Sequence, residues 1–437
     1  MAYLNRFYDP PEDRFSELLE RTGTTQENIS CPVAAIIAAV KAEGDEALLR
    51  FTEEFDKVTL SSLRIPTSEI QKAEELVDET LKKALAVAKA NIEAFHQAQS
   101  AEGERLEREG IALWRKIVPI DRVGLYVPGG SAPLISTVLM LAIPAQVAGC
   151  KEIVLCTPPD RDGRVNPAIL YAAQLCGVNE IYRVGGAQAI GAMATGTASI
   201  KKVDKIYGPG NRWVTEAKTQ VGSALCAIDL PAGPSEVMVV ADSFADPVFV
   251  ASDLLSQAEH GPDSQAMLII CADREDGELY ADAVEKAIAE QLKQLERKAA
   301  LEASLANSRL FIIPSLEGCA RLANAYASEH LIINLQNEKK EEQLLSMITN
   351  AGSIFLGPWS PESSGDYASG TNHTLPTGGW ARGYSGLSTD SFIKKITVQR
   401  LSREGLENLA PTLAAMADAE GLKAHRKAVD VRLGEER

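Results

Sequence analysis

From residue 122 onward the chain alternates short apolar runs with stretches of good helix formers, and nearly every run ends in a turn of small residues. Strands are expected at 122–127, 152–156, 180–184, 205–207 and 224–229, with helices between them at 134–148, 167–176, 187–194 and 212–221. A second series follows: 236–241, a helix running to His260, then strands near 266–271, 310–313, 330–334 and 353–356. Such alternation specifies open parallel sheets wrapped by helices, because a parallel connection needs a crossover. The turns PGGSAP, TPPD, GGAQ, GPGN and PAGP then fall at the carboxyl ends of strands, where open α/β sheets bind ligands. No GxGxxG is present, so a dinucleotide would bind here without the usual fingerprint. The two series are of similar size, as after a duplication, yet no sequence repeat accompanies them.

The flanks read differently. Residues 1 to about 100 look helical. They comprise an amphipathic stretch at 11–21, a helix capped by Ser30 that stops at Gly44, another from Asp45, and a long one over 76–99. One or two strands are expected between 110 and 129. A Gly/Ser/Pro-rich loop spans 357–379 and carries Glu362, Asp366, Asn372 and His373, and a loop that long is usually functional or disordered. A strand at 391–399 and two amphipathic helices at 404–416 and 420–432 finish the chain, with faces suited to a second subunit.

A net charge of −16 disfavours nucleic acid as a partner. The opening MAYLNRFYDPPEDRF has no basic or apolar leader segment, and the most apolar run, 133–149, is broken by Pro144, so neither secretion nor membrane insertion is expected. The seven cysteines never form CxxC and most sit in apolar runs, which disfavours a cysteine-ligated zinc and a disulfide framework.

Three constellations could carry chemistry. Gln257 and His260, three apart at a helix end closed by Gly261 and Pro262, could hold a metal with Asp366 and with His425 as a fourth donor. The plainer alternatives are a polar helix end, an Asx-turn at Asp366 and a polar helix face at His425. Glu329 and His330 adjoin where a helix gives way to a strand, and could share general-base work or simply form a polar junction. Tyr126, Gln188 and Asn211 lie at or just past strand ends and could line a nucleotide pocket, although Tyr126 could equally be core and Asn211 a helix cap.

Several long stretches together resemble histidinol dehydrogenase, in order along the chain. They are VGLYVPGGSAPLISTVLMLAIPAQVAGC, VGGAQAIGAMATGT, VDKIYGPGNRWVTEAK, DLPAGPSEVMVVAD, LLSQAEHGPDSQA, NAYASEHLII and SPESSGDYASGTNHTLPTGG. The resemblance implies oxidation of L-histidinol to L-histidine through the aldehyde, with two NAD+ and one zinc, in the cytoplasm. It implies zinc ligands at Gln257, His260, Asp366 and His425, the last from the other subunit of a homodimer. His330 would accept the alcohol proton and Glu329 would activate water. Ser235, His373 and Glu420 join His330 and the zinc ligands around the substrate, and Tyr126, Gln188 and Asn211 contact NAD. Two departures are Ser328, where many members carry Pro, and the loop CTPPDRDGRVNP. A relative acting on a sulfonated diol and a metal-dependent hydrolase are the rival readings. Retention of Ser235, Glu420 and His425 favours histidinol over the diol.

The expected architecture is α/β: two doubly wound, incomplete Rossmann-like parallel-sheet domains plus small helical N- and C-terminal extensions. The expected segments are an N-terminal helical extension (1–25), a discontinuous first domain with the metal and catalytic residues (26–122 and 236–382), a second domain on the NAD side (123–235), and a helical tail (383–437).

Overall fold

A computed structural model describes residues 3–21, 29–99, 103–129, 133–230 and 233–434. Parts of the expected turns PGGSAP and PAGP, and residues 22–28, lie outside the described residues. Two parallel sheets dominate. In the second sheet the strands run Glu180–Arg183, Glu152–Thr157, Arg122–Tyr126, Lys205–Tyr207, Ala227–Ile228. In the first they run Asn5–Tyr8, Arg309–Ile313, Gln265–Cys271, Glu236–Ala241, His330–Asn334, Ser353–Leu356. Counted from Arg122–Tyr126 and from Glu236–Ala241, both sheets have the order 3-2-1-4-5. The order reverses beside the first strand of each, and crevices open at such switch points.

The strands are continuous apolar runs because both faces are covered. Along Glu236–Ala241, Val237, Val239 and Ala241 enter one hydrophobic cluster while Met238 and Val240 enter the cluster on the opposite face. The second sheet divides the same way, with Leu125 and Leu155 on one side and Tyr126, Val154 and Cys156 on the other. Crossover helices begin with designed starts: Asn166 and Asp246 each accept a backbone N–H, and each is followed by Pro at the first helical position. No helix of the described residues is long and apolar enough to cross a membrane.

Two expectations need correcting. The N-terminal segment is not wholly helical: Asn5–Tyr8 is an edge strand of the first sheet. Its anchor is Arg6, bonded to Glu278, Asp282 and Glu285, and Leu4, buried in the core. Four residues reading NRFY are too few for periodicity to reveal this. The helices Ser30–Glu43, Thr67–Leu76 and Glu79–Gln97 pack on the second sheet, not on the unit to which 26–122 was assigned. Val33, Ile36, Ile37 and Val40 share a cluster with Ala187, Ile190 and Met193; periodicity identifies an apolar face but not the surface it meets. The strand expected at 391–399 is Ile393–Leu401, at the head of the tail; it pairs antiparallel with Ile111–Pro119, which also pairs with Arg105–Arg108.

The helices Arg403–Ala419 and Lys423–Leu433 then bury little: only Gly405 and Ala417 in the first, and no residue in the second. Gly405 seats this tail on the antiparallel sheet, where a Cβ would meet the Gly110 carbonyl oxygen at 2.1 Å. Gly405→Ala should therefore cost about 1–3 kcal/mol of local docking by overpacking. Limited trypsin digestion at Arg400 and Arg403 should run roughly tenfold faster, as that loss implies. An unchanged cleavage rate would show that the contact does not hold the tail.

Candidate active site

The carboxyl end of the helix Pro247–Ala258 and the Gly-rich loop meet beside the start of strand His330–Asn334. The helix stops at Ala258, so His260 sits in the following turn, not on the last helical turn with Gln257. Its backbone N–H donates to the Gln257 carbonyl at 3.2 Å, and its side chain is exposed. Within the expected loop a short helix, Glu362–Tyr367, forms. Glu362 and Asp366 are four apart on it and share a face. His260, Glu362 and Asp366 each offer a ligand atom within 4.8 Å of the others.

His330 joins this group. The preceding helix ends with Ala327 in the left-handed region (φ 55°), which turns the chain into the strand that His330 begins. Its Nε2 lies 3.3 Å from Asp366 Oδ1, and its Nδ1 lies 3.9 Å from both Glu329 Oε2 and Glu362 Oε2. Glu329 is aimed by the Glu236 backbone N–H, which donates to its Oε2 at 2.9 Å. Ser256 donates to Glu362 Oε1 at 2.9 Å. Glu236 is in turn tied to Arg21 and accepts from the Gly378 N–H at 2.9 Å, which joins the N-terminal segment and the end of the loop to this strand.

Burial sets the electrostatics. It pushes Glu329 up to about 7 and Glu362 up to about 8, against the opposing pull of the His330 ring. Burial also disfavours charge on His330, but Glu329, Asp366 and Glu362 together outweigh it and raise its pKa to about 10. Burial would raise Asp366 too, yet the hydrogen bond and charge of His330 leave it lowered.

Buried polar atoms without partners mark where a ligand is accommodated. They include both side-chain heteroatoms of Gln257, His330 Nδ1, Glu362 Oε2 and His373 Nε2. Ser235, Glu329 and His373 line one pocket of about 190 Å³ together with Gly208, Asn211 and Lys218. Tyr126, Gln188 and Asn211 line a second cavity of about 860 Å³ at the carboxyl ends of the second sheet. That volume suits a cofactor-sized ligand. Tyr126 is core as well as wall: it is buried, and its Oη accepts from the Gly186 N–H at 3.1 Å. Asn211 caps the helix Arg212–Gly222 and also faces both cavities, as Pro128 does.

Glu420 and His425 stand apart, exposed on the C-terminal helices of this chain. Glu362 was counted in the sequence only as one of several polar loop residues; the signal that could have singled it out is its i,i+4 spacing to Asp366. Removing its charge should weaken Zn2+ binding to the metal-free protein about tenfold, and Asp366→Ala about a hundredfold, as expected for one and two decades of affinity. Calorimetric titration of Glu362→Gln with an unaltered affinity would place Glu362 outside the metal group.

The family model described as histidinol dehydrogenase matches residues 19–433. Histidinol dehydrogenase from Bacteroides thetaiotaomicron is 53% identical over 97% of this chain and 97% of its own length. The protein of that name from Vibrio parahaemolyticus is 51% identical over 97% of this chain and 96% of its own. A crystal structure of histidinol dehydrogenase from Elizabethkingia anophelis superposes with a TM-score of 0.95 at 48% identity, covering 100% of this chain and 99% of that one. With matches of this extent and identity, the chain belongs to the histidinol dehydrogenase family.

Proposed function

We propose that this chain oxidises L-histidinol to L-histidine by way of L-histidinal, using two NAD+ and one zinc ion, as the last steps of histidine biosynthesis in the cytoplasm. The observation that carries the reading is a shared wall. Asn211 and Pro128 line both the large cavity and the pocket that holds Ser235, Glu329 and His373, so a dinucleotide in one can reach a carbinol carbon in the other.

Gln257, His260 and Asp366 supply the zinc donors in this reading, and the chemistry of the set fits: nitrogen and oxygen atoms, no thiolate. A buried amide with neither heteroatom hydrogen-bonded is costly, and ligation through its oxygen offsets part of that cost. His425 of the partner subunit completes the set, and Glu420 of the partner subunit joins the substrate site. The exposed Leu413, Met416, Leu422 and Val431 on the tail support its being covered by a second copy. Zinc, when bound, would supply a Lewis-acidic template that orients the substrate. NAD+ accepts two electrons in each oxidation.

The chain's own residues move the protons. With a cation offsetting the carboxylates and Asp366 drawn into ligation, His330 would be held neutral, and its freed Nε2 can take the alcohol proton as the aldehyde forms. Glu329, held at Oε2 by the Glu236 amide, then takes a proton from water while the water oxygen bonds to the aldehyde carbon and His330 returns its proton to the former carbonyl oxygen. The resulting hydrate is again an alcohol, and its oxidation yields the carboxylate. Ser235 and His373 hold the substrate in the small pocket, and Tyr126, Gln188 and Asn211 hold NAD+.

Purified protein given L-histidinol and excess NAD+ should form two NADH per substrate, lose activity to a chelator, and regain it with zinc. Absence of NADH from histidinol, with hydrolytic activity instead, would overturn the reading. Glu329→Gln should slow the second oxidation by roughly 10²–10⁴-fold, the usual worth of a general base. Histidinal should then appear as a trappable aldehyde, and undiminished histidine formation would remove Glu329 from the mechanism.

A further inference from the structure

The large cavity contains one carboxylate to which the reaction gives no role. Asp56 ends the π-helical turn Thr52–Asp56 and lines the cavity with Tyr126, Gln188 and Trp213. Its Oδ2 is buried without a hydrogen-bond partner. The next residue, Lys57, is left-handed (φ 62°), and its ammonium donates instead to the Glu54 carbonyl at 2.7 Å. Burial pushes the Asp56 carboxyl up to about 6. A carboxylate kept half out of water and short of a donor is costly unless a ligand provides one.

Position narrows what that ligand group is. Pro128 and Asn211 line both cavities, which puts the nicotinamide end of the cofactor at their shared wall; Asp56 lines only the larger of the two. Away from nicotinamide, a dinucleotide presents a pyrophosphate, a ribose and adenine. The pyrophosphate has only negatively charged acceptors, which a carboxylate repels. Adenine has a single amino donor. The ribose has two adjacent hydroxyls, matched to the two oxygens of a carboxylate.

We infer that Asp56 binds the 2′,3′-diol of the adenosine ribose and thereby selects NAD+ over NADP+, whose 2′-phosphate would set a second negative charge against it. The assignment rests on NAD+ occupying this cavity, as proposed above. It makes the N-terminal helical layer, through Asp56, part of the cofactor site, although that layer contributes no strand to the second sheet.

The test needs no turnover. Trp213 stands in the same wall, so NADH bound in the cavity should quench its emission. Full-length wild type, Asp56→Ala, Asp56→Asn and Trp213→Phe are titrated with NADH and with NADPH in the absence of histidinol. Wild type should bind NADH at least about tenfold more tightly than NADPH, the worth of a hydrogen bond to a charged group. Asp56→Ala and Asp56→Asn should each weaken NADH about tenfold and leave NADPH within about threefold, collapsing the preference. If both Asp56 variants keep the wild-type ratio while Trp213→Phe abolishes the quench, the diol assignment falls and the cavity assignment stands. If Trp213→Phe leaves the quench undiminished, NADH binds elsewhere and both fall together.

Discussion

Three carboxylates, Glu329, Glu362 and Asp366, converge on one buried imidazole, and the rest of the site depends on how that charge is balanced. Taking several like charges out of water is unfavourable unless positive charge and donors are brought to them. His330 provides one positive charge, Ser256 and the Glu236 amide provide donors, and the unused atoms of Gln257 and Glu362 remain. Within this cluster His260, Glu362 and Asp366 each offer a ligand atom close enough to the others to hold a cation between them. The elements around it are placed accordingly. The helix end, the short helix in the Gly-rich loop and the head of a central strand each contribute one side of the cluster.

The fold was largely legible because its signals are local. Most strands of the two parallel sheets are short apolar runs bounded by small residues, and several crossover helices are announced by a side-chain cap, joined by a Pro at Asn166 and Asp246. What escaped was pairing over distance. The strand Asn5–Tyr8 and the antiparallel match of Ile393–Leu401 with Ile111–Pro119 join segments hundreds of residues apart, and neither carries a pattern that names its partner. The same limit explains the misplaced N-terminal helices. In the site, residue type and family motifs had singled out Asp366 and the Glu329–His330 pair, which the structure brings together. Glu362 was not, because its spacing of four from Asp366 lay in a stretch read as loop, where the structure has a short helix.

The matching 3-2-1-4-5 order of the two sheets gives a physical content to the similarity in size noted in the sequence. One architecture has been put to two uses. The carboxyl edge of the second sheet lines the large cavity, while the first sheet delivers Ser235 and Glu329 to the small pocket and His330 to the charged cluster. Asn372, donating to the Met140 carbonyl at 2.6 Å, ties the Gly-rich loop of the first unit to a helix of the second. Apolar packing on both faces of each sheet keeps the halves rigid, so the relative placement of the cavities is set by a few such ties.

The turn Gly208-Pro209-Gly210-Asn211 belongs to this shared boundary, and it has no slack. Gly208 sits at φ 122° with its α-carbon against the Tyr126 carbonyl, where an added methyl would lie 2.1 Å from the oxygen. Its amide donates to Asp229, whose other oxygen is paired with the buried Lys218, and Lys218 returns a hydrogen bond to the Gly208 carbonyl. A partition so thin and so firmly pinned cannot be moved toward one compartment without narrowing the other. Room gained on one side of the turn is lost on the other, so each compartment can be reshaped independently only at the walls that face away from it.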